Sequence, residues 1–355
     1  MKGTGMSDIA EQVGVSRNTV SKVMNGRGKV SQSVRYQVIE AAIELKYHKL
    51  PQELYEEYML TIKKEEKQKV SKNILVIATS PDFSSFWGHM ISGITKELAD
   101  REYSCFYNFL TFHQEKNFEL PPILQEADIT GIIAVNLYDK DAVAKLAQAN
   151  LPTVYFDIPL GIDPMSVSAD VIVVEGRRSV FKITEKLIEQ GDKILGFIGD
   201  TGYCKSIEER WRGFVRAHNV AGIPIHNEYC FISKEHGHFY FEQQVEGTIT
   251  ALIEDKQPLP QGFVCGNDAI AHKVIKVLKQ HGYKVPEDIR ISGFDDIPLE
   301  GEETTLTSVR TNIHNIGRRL AEQIVWRIDH PDRDFENIKI YGQVEFRKST
   351  NKNIK

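Results

Sequence analysis

Apolar positions near the amino terminus repeat at helical spacing in two short segments separated by a glycine. The residues on one face of each segment are Ile9, Ala10, Val13, Val20, Val23 and Met24. Gly14 can take the positive φ that ends a helix in a tight turn. Ser16 is a favoured N-cap, because its hydroxyl can accept a hydrogen bond from the next turn. The pattern therefore predicts two short helices in a helix-turn-helix arrangement.

The polar face of the second predicted helix carries side chains that suit recognition of DNA bases. Four residues point away from its apolar face: Arg17, Asn18, Ser21 and Lys22. Arg and Lys can donate to guanine, and Asn can pair with an adenine edge. A third apolar stripe within residues 31–47 predicts another helix, capped by Ser31 or Ser33, that closes a small core. DNA binding is one interpretation, and an ordinary helical hairpin with a solvated polar face is the other.

From Asn73 onward, short apolar runs alternate with longer amphipathic segments. The runs that predict strands are Ile74–Thr79, Ser104–Phe109, Gly131–Val135, Thr153–Phe156, Val167–Ala169, Ile194–Ile198, Gly262–Cys265 and Ile289–Phe294. The segments that predict helices are Trp87–Arg101, Asp141–Ala149, Val174–Glu189, Ile207–His218, Phe239–Asp255, Asp268–His281 and Asn312–Arg327. This alternation predicts α/β layers. The segment is longer than one such sheet usually needs, so we expect two lobes.

Charge is distributed unevenly along the chain. The 355 residues have a formal net charge of −5, yet residues 1–50 hold eight Lys and Arg against four Asp and Glu. A basic head attracts phosphates, and an acidic remainder limits non-specific adhesion to DNA. The four cysteines show no metal-binding spacing and are expected to be reduced thiols: Cys105, Cys204, Cys230 and Cys265. No signal peptide or membrane-spanning segment is recognised, so we expect a cytoplasmic protein.

The amino-terminal string DIAEQVGVSRNTVSKVMNG, followed by VS and VRYQVIEAAIELKY, resembles the DNA-binding head of the LacI/GalR family of bacterial repressors. The resemblance places Arg17, Asn18 and Lys22 at base-reading positions. It implies that mainly phosphates are contacted by Ser16, Thr19, Ser21 and Asn25. Phosphate contacts set the register on DNA, whereas base contacts set the sequence preference. The implied partner is a pseudo-palindromic operator bound by a homodimer.

The segment from His48 to Lys72 is dense in Glu and Lys and departs from the family pattern. In that family the matching stretch holds a hinge helix that wedges into the minor groove. Leu54 is the candidate wedge in this chain. Three acidic neighbours, Glu53, Glu56 and Glu57, are unfavourable close to phosphates. The alternative is a longer linker helix that pairs with its dimer mate and stays off the groove.

Landmarks between Ile77 and Thr350 also resemble the family, whose effector domain is similar to periplasmic sugar-binding proteins. The implied fold is a small all-α helix-turn-helix head plus an α/β two-lobed, periplasmic-binding-protein-like effector domain. The expected divisions are 1–50 for the head, 51–72 for the linker, and 73–350 for the effector-binding and dimerisation domain. Lobe 1 is expected to comprise about 73–164 and 298–330, and lobe 2 about 165–297 and 331–347, with crossovers near Pro164, Pro298 and His330.

Ligands of open α/β sheets bind at the carboxyl ends of the strands. Seven side chains are expected at this place: Phe86, Trp87, Asp157, Ser206, Arg210, Asn267 and Asp295. The resemblance maps Arg210 and Asp295 onto ligand-binding positions, and the flat faces of Phe86 and Trp87 suit stacking on a sugar ring or a base.

These side chains also have structural interpretations. Trp87 is alternatively a core residue, and Arg210 is alternatively a structural partner of Asp295 or Glu209. Asp268 is expected to be a helix N-cap. Met90, Ile91 and Ile94 are candidates for the dimer face or, equally, for the lobe core.

Together these features predict a ligand-controlled DNA-binding regulator, a repressor by family resemblance. The expected effector is a sugar or sugar phosphate, and the alternative is a purine or nucleoside. A solute-binding protein without DNA function would share the two-lobed body, but the basic head argues against it. Neither a phosphate-binding loop nor a nucleophile elbow occurs in the sequence. We therefore expect no catalysis, and no cofactor or metal.

Overall fold

The computed structural model describes residues 5–26, 28–59, 72–79, 85–232, 237–256, 258–297 and 305–351. The chain divides into two compact units, Met1–Ser71 and Lys72–Lys355. We call the first unit the head and the second the body.

The head consists of short helices around one apolar core. Its helices are α1 (Met6–Val13), α2 (Arg17–Met24) and α3 (Gln32–Glu44), and residues 52–59 are also helical. The buried side chains of this core are Ile9, Ala10, Val20, Val23, Met24, Val38, Ile39, Ala41, Ala42, Tyr47 and Leu54. Most recur three or four residues apart, which places them on the inward faces of their helices.

The turn between α1 and α2 confirms the predicted helix-turn-helix. Gly14 has a φ of 72° and ends α1. Ser16 caps α2, and its hydroxyl oxygen accepts a hydrogen bond from the Thr19 N–H at 3.0 Å. Ser31, rather than Ser33, caps α3.

The described residues of the body form three sheets. In chain order its described strands are β1 (Asn73–Thr79), β2 (Ser104–Leu110), β3 (Ile129–Val135), β4 (Thr153–Phe156), β5 (Asp170–Glu175), β6 (Leu195–Ile198), β7 (Cys230–Phe231), β8 (Gly262–Cys265), β9 (Arg290–Ser292), β10 (Ser308–Arg310), β11 (Asn337–Tyr341) and β12 (Gln343–Glu345). A six-stranded sheet has the order β11-β5-β4-β3-β1-β2, and a four-stranded sheet has the order β7-β6-β8-β9. Both are parallel throughout, whereas β10 pairs with β12 in an antiparallel ribbon.

Helices connect most of the successive strands, as parallel pairing requires. The described helices of the body are α4 (Ser85–Asp100), α5 (Phe112–Lys116), α6 (Ile123–Glu126), α7 (Lys140–Ala147), α8 (Arg177–Glu189), α9 (Lys205–Ala221), α10 (Gly237–Glu254), α11 (Asp268–Gln280) and α12 (Ile313–Asp329). Single 3₁₀ turns occur at Pro164–Val167, Asn227–Tyr229 and Lys348–Thr350. The predicted α/β class of the body is therefore confirmed.

One predicted strand is wrong. The run Val167–Ala169 is not a strand, because a 3₁₀ turn occupies Pro164–Val167 and Ser168 has a left-handed φ of 47°. The strand follows at Asp170–Glu175, where every residue is buried. The helix expected from Val174 accordingly begins at Arg177.

The same shift changes the expected lobe boundaries. Strand β5 pairs with β4, and β11 pairs with β5, so both belong to the six-stranded sheet and not to the second lobe. The chain therefore leaves the six-stranded sheet after Glu175, and not near Pro164 as expected. The segment after His330 was expected in lobe 2, but its strand β11 belongs to the six-stranded sheet of lobe 1. The expected crossover near Pro298 lies outside the described residues.

Two helices of the first lobe, α4 and α12, touch through their backbones. A Cβ on Gly93 of α4 would lie 2.1 Å from the carbonyl oxygen of His314. A Cβ on Gly317 of α12 would lie 2.1 Å from the carbonyl oxygen of Met90. Met90 and Ile94 are fully buried here, so they belong to the lobe core, the second of the two interpretations of their sequence.

Replacing Gly93 with alanine is expected to destabilise the body by about 3 kcal/mol, because the added methyl group must push two helix backbones apart. Gly88 offers a control on the same helix, since it is exposed and a Cβ there would meet nothing within 4 Å. Gly88→Ala is expected to stabilise by about 0.5–1 kcal/mol. Urea unfolding followed by circular dichroism measures both. Equal unfolding midpoints for the two variants would show that the helices are not in contact at Gly93.

Candidate functional site

The second helix of the head presents the predicted base-reading side chains to solvent. Arg17, Asn18 and Lys22 are exposed, whereas Val20 and Val23 on the opposite face are buried. This face is polar and cationic, which suits the edges of bases and the phosphates around them.

Of the four predicted phosphate-contacting residues, Ser16 and Thr19 lie at the start of α2, Ser21 lies within it and Asn25 caps its end. Ser16 and Thr19 are joined by a hydroxyl–hydroxyl hydrogen bond of 2.8 Å. Asn25 donates from its amide nitrogen to the Ser21 carbonyl oxygen at 2.8 Å. These bonds hold the side chains of Ser16 and Thr19 at the start of the helix and that of Asn25 at its end.

Leu54, the candidate wedge, is not presented to solvent. It is 6% exposed and lies in the apolar core of the head. Glu57 and Arg35 of α3 form a 2.8 Å salt bridge, and the rings of Tyr58 and Tyr36 lie 6.2 Å apart. The segment 52–59 therefore packs against α3 with Leu54 pointing inward. Removing this apolar side chain from water lowers the free energy of the folded head.

A cavity of about 290 Å³ opens in the body at the carboxyl ends of the strands of both sheets. All seven side chains predicted for the ligand line it: Phe86, Trp87, Asp157, Ser206, Arg210, Asn267 and Asp295. They come from the start of α4, the end of β4, the first turns of α9, the start of α11 and the loop after β9. Such a place outside the carboxyl ends of parallel strands is where open α/β folds bind ligands.

Arg210 forms the charged wall of this cavity. Its Nη1 donates to the Gly266 carbonyl oxygen at 2.5 Å, and its Nη2 lies 3.6 Å from Asp295 Oδ1. Its guanidinium lies 3.6 Å from the centre of the Phe294 ring. Within the described part of the chain, Arg210 Nε has no hydrogen-bond partner although it is buried. Arg210 thus pairs with Asp295, which was its alternative structural interpretation, and it also lines the cavity.

Asp157 lies on the opposite lobe, at the end of β4. It is 3% exposed, and its φ of 59° is left-handed. Its carboxylate accepts hydrogen bonds from the N–H groups of Ile158 at 2.9 Å and Ser206 at 3.3 Å. The carboxylate is therefore held rigidly at the cavity wall by two backbone segments.

Two pairs of aromatic rings enclose the cavity. Phe86 and Trp87 pack edge to face with their ring centres 4.8 Å apart. The ring centres of Trp87 and Phe156 are 6.3 Å apart. Tyr138 and Tyr203 form a second edge-to-face pair at 4.4 Å. Trp87 consequently packs on the core and lines the cavity, so its two interpretations are compatible.

The start of α11 differs from expectation. Asn267, not Asp268, is the N-cap, and its Oδ1 accepts from the Ile270 N–H at 2.8 Å. Asp268 instead accepts from the Ser308 hydroxyl and from the Ile297 N–H, each at 2.7 Å. Burial, followed by the nearby charge of Asp295, raises the pKa of Asp268 from 3.8 to about 7.

Comparison with known proteins supports both units. The model of the bacterial regulatory proteins of the lacI family matches residues 5–49, and the model of the periplasmic binding protein-like domain matches residues 184–350. The HTH-type transcriptional repressor PurR of Pasteurella multocida is 26% identical over 347 residues, covering 97% of this chain and 98% of its own. The HTH-type transcriptional regulator CelR of Thermobifida fusca is 27% identical over 326 residues, 90% of each chain.

The fold agrees with solved structures over nearly the whole chain. The complex of the transcriptional regulator CelR with cellobiose has a TM-score of 0.67 and 20% identity, covering 98% of this chain and 99% of its own. The lac repressor dimer bound to operator and the anti-inducer ONPF has a TM-score of 0.63 and 19% identity at the same coverage. The chain belongs to the LacI family. It is a DNA-binding regulator under the control of a ligand.

Several cavity residues of this LacI-family regulator were not predicted from its sequence. They are Phe112, Asn136, Tyr138, Phe156, Val174, Tyr203, Cys204, Ile207, Glu242, Ala269 and Ile297. Asn136 and Phe156 directly follow or end apolar strands, so the same strand-end rule could have found them. Glu242 lies inside α10, where no local signal distinguishes a cavity carboxylate from a solvated one.

Among the described residues, no cluster of three or more His, Cys, Asp or Glu side chains could hold a metal ion. No helix within those ranges is long and apolar enough to cross a membrane.

Shortening Leu54 to alanine is expected to destabilise the head by about 3 kcal/mol, because it removes a buried side chain and leaves a cavity. Tyr55 is 39% exposed and supplies the control, since Tyr55→Ala is expected to change stability by about 0.5 kcal/mol or less. Hydrogen exchange of the head amides in the full-length chain reports both effects. Faster exchange is expected only in Leu54→Ala. If Leu54→Ala showed normal hydrogen exchange but bent operator DNA less, Leu54 would act as a minor-groove wedge and not as a core residue.

Proposed function

We propose that the protein is a homodimeric repressor whose affinity for a pseudo-palindromic operator is set by a sugar bound in the body cavity. The observation that most supports this is the convergence of seven side chains from five segments on one cavity, in a chain whose head exposes a base-reading helix face. Two such heads related by a two-fold axis would contact half-sites about one helical turn apart.

The lining of the cavity supports a sugar as the ligand. Flat aromatic faces pack on the apolar faces of a sugar ring, while Arg210, Asp157 and Asn267 offer donors and acceptors for its hydroxyl groups. A buried guanidinium or carboxylate discriminates strongly, because a ligand without the matching group leaves a charge unpaired. The regulator CelR, which has a similar fold, was solved in complex with cellobiose.

A purine or nucleoside is the second candidate. The two aromatic pairs, Phe86 with Trp87 and Tyr138 with Tyr203, suit a planar base as well as a sugar ring. The relatives named PurR repressors have similar sequences over almost their whole length. A thermal-shift screen of sugars and purines against the full-length protein separates the two classes.

We place no catalytic step in the cavity. The described relatives are named repressors and regulators. The carboxylate of Asp157 is occupied by two backbone N–H groups, and the guanidinium of Arg210 by a carbonyl oxygen and Asp295. These groups are arranged to hold a ligand in place.

The cavity is lined by residues from both lobes, and this arrangement suggests how a ligand could control DNA binding. Asp157 and Trp87 belong to the lobe of the six-stranded sheet, whereas Arg210 and Asn267 belong to that of the four-stranded sheet. A ligand that bonds to both lobes stabilises one arrangement of the lobes over another. The affinity for operator changes if the paired heads fit DNA in only one of these arrangements.

Lys22→Ala is expected to weaken binding to a selected operator about tenfold or more and to relax its sequence preference, because a base contact is lost. Lys49→Ala removes the same charge from an exposed position elsewhere in the head, and only a smaller, sequence-independent loss is expected. Anisotropy titrations with operators selected from a random duplex pool measure both. Equal losses on specific and random DNA for Lys22→Ala would remove it from the base-reading set.

Arg210→Ala is expected to abolish the response of operator binding to the effector while leaving binding of operator itself unchanged. Arg212 provides the control on the same helix, since its side chain is 54% exposed and pairs with Glu208 and Glu209. Titration of the operator complex with the sugar identified by the screen gives the readout. A normal response in Arg210→Ala would place the effector outside this cavity.

A further inference from the structure

The two lobes of the body bond directly to each other beside the cavity. The loop after β6 and the first turn of α9, residues 199–206, belong to the lobe of the four-stranded sheet. The Lys205 N–H donates to the Ile158 carbonyl oxygen at 3.1 Å, and the Ser206 N–H donates to Asp157 Oδ2 at 3.3 Å. Both acceptors follow β4 of the six-stranded sheet. The start of α9 is therefore held against the end of a strand in the other lobe.

Tyr203 extends this contact to a second strand end. Its hydroxyl donates to Oδ1 of Asn136, the residue after β3, at 2.8 Å. The orientation of the Asn136 amide is set within its own lobe, because Nδ2 donates to the Thr79 carbonyl oxygen at 2.6 Å. The rings of Tyr203 and Tyr138 pack edge to face across the same boundary. Burial raises the pKa of Tyr203 well above its usual value, so its hydroxyl keeps the proton that it donates.

The bond between Tyr203 and Asn136 lies away from the places where the chain passes between the lobes. Two of these passages follow β5 and β11, which are neighbours at one edge of the six-stranded sheet. Strand β3 is two strands further in than β5, which is about 10 Å at the usual strand spacing. A rotation of the lobes about the passages moves this strand end further than the strands at that edge. A bond at Asn136 therefore opposes opening more effectively than one beside the passages.

We propose that the hydrogen bond from Tyr203 to Asn136 is a latch that opposes separation of the two lobes at the cavity. The free energy of this bond contributes to the difference between the arrangement described here and one with the lobes apart. Both residues line the cavity, so a ligand that bonds to both lobes would add to the same restraint. The latch is a property of the body, and its consequence for DNA binding rests on the proposed function.

Hydrogen exchange of single amides in the full-length protein measures the separation of the lobes. Lys205 and Ser206 begin α9, and the first N–H groups of a helix have no acceptor within that helix. Their acceptors belong to the other lobe, so their exchange reports the opening of this boundary. Glu208 is the internal reference, because its N–H donates to the Cys204 carbonyl oxygen at 3.3 Å in the same lobe.

Two substitutions remove the latch from opposite sides. Asn136→Gly deletes the acceptor, and glycine adopts the left-handed φ of 54° at this position without strain. Tyr203→Phe deletes the donor and keeps the ring against Tyr138. In each variant the amides of Lys205 and Ser206 are expected to exchange about threefold to tenfold faster, as for the loss of one hydrogen bond. The double variant is expected to exchange no faster than the faster single variant, because both changes remove the same bond.

Tyr229→Phe is the matched control. The Tyr229 hydroxyl donates to the Pro258 carbonyl oxygen at 2.6 Å, and both residues belong to the lobe of the four-stranded sheet. This variant loses one tyrosine hydroxyl bond without changing the boundary between the lobes. Its amides at Lys205 and Ser206 are expected to exchange at the wild-type rate.

The outcomes distinguish the latch from the proposed function. Wild-type exchange at Lys205 and Ser206 in Asn136→Gly would overturn the latch and leave a ligand-controlled regulator intact. The latch is also overturned if the effects of the two substitutions multiply in the double variant, or if Glu208 accelerates equally, which would indicate fraying of α9.

Anisotropy titration with a selected operator tests the consequence for DNA binding. Both latch variants are expected to change operator affinity in the same direction, because both favour the same separation of the lobes. Faster exchange with wild-type operator affinity would support the latch and contradict control of DNA binding by the arrangement of the lobes.

Discussion

The buried guanidinium of Arg210 is the constraint on which the cavity depends. A charge that is 6% exposed has to be compensated inside the protein. The compensation comes from the Gly266 carbonyl oxygen, the Asp295 carboxylate and the face of Phe294, on segments that follow two neighbouring strands. Gly176 leaves room for the side chain, since a Cβ there would lie 2.6 Å from Arg210 Cγ. Satisfying this one charge therefore holds α9 and the ends of β8 and β9 at fixed spacing, and these segments form one wall of the cavity.

Backbone conformation adds a second constraint at the same place. Asn136, Asp157, Asp295 and Asp296 follow strands at the cavity and have φ values of 54°, 59°, 106° and 56°. Left-handed backbone costs about 1–3 kcal/mol at a residue other than glycine, and it persists where neighbouring interactions over-determine it. At Asp157 these interactions are the two N–H groups that bind its carboxylate. The turn places the Asp157 carboxylate at the cavity wall and away from bulk solvent.

The polar network behind the cavity extends to the segment that connects the two sheets. Asp268 at the start of α11 binds the hydroxyl of Ser308 in β10 and the N–H of Ile297. Strand β10 pairs with β12, and Arg347 next to β12 binds Asp296 through both of its terminal nitrogens. Under the proposed function, a ligand in the cavity would lie next to this network. The network would then link the ligand to β10 and β12 through contiguous hydrogen bonds, and coupling measurements on variants of these residues would test that link.

The sequence determined the local features of this protein, and the tertiary structure decided which of them meet. Helical spacing, Gly14 and the Ser16 cap were sufficient to predict the helix-turn-helix, because caps and apolar faces act within a few residues. Strand-end positions together with the family resemblance predicted seven side chains that all line the cavity. The sequence alone did not show that Leu54 is buried, that the strand after Ser168 joins the six-stranded sheet, or that Glu242 reaches the cavity. Each of these depends on contacts with residues distant in the chain, and hydrophobic periodicity specifies that a face is buried without specifying its partner.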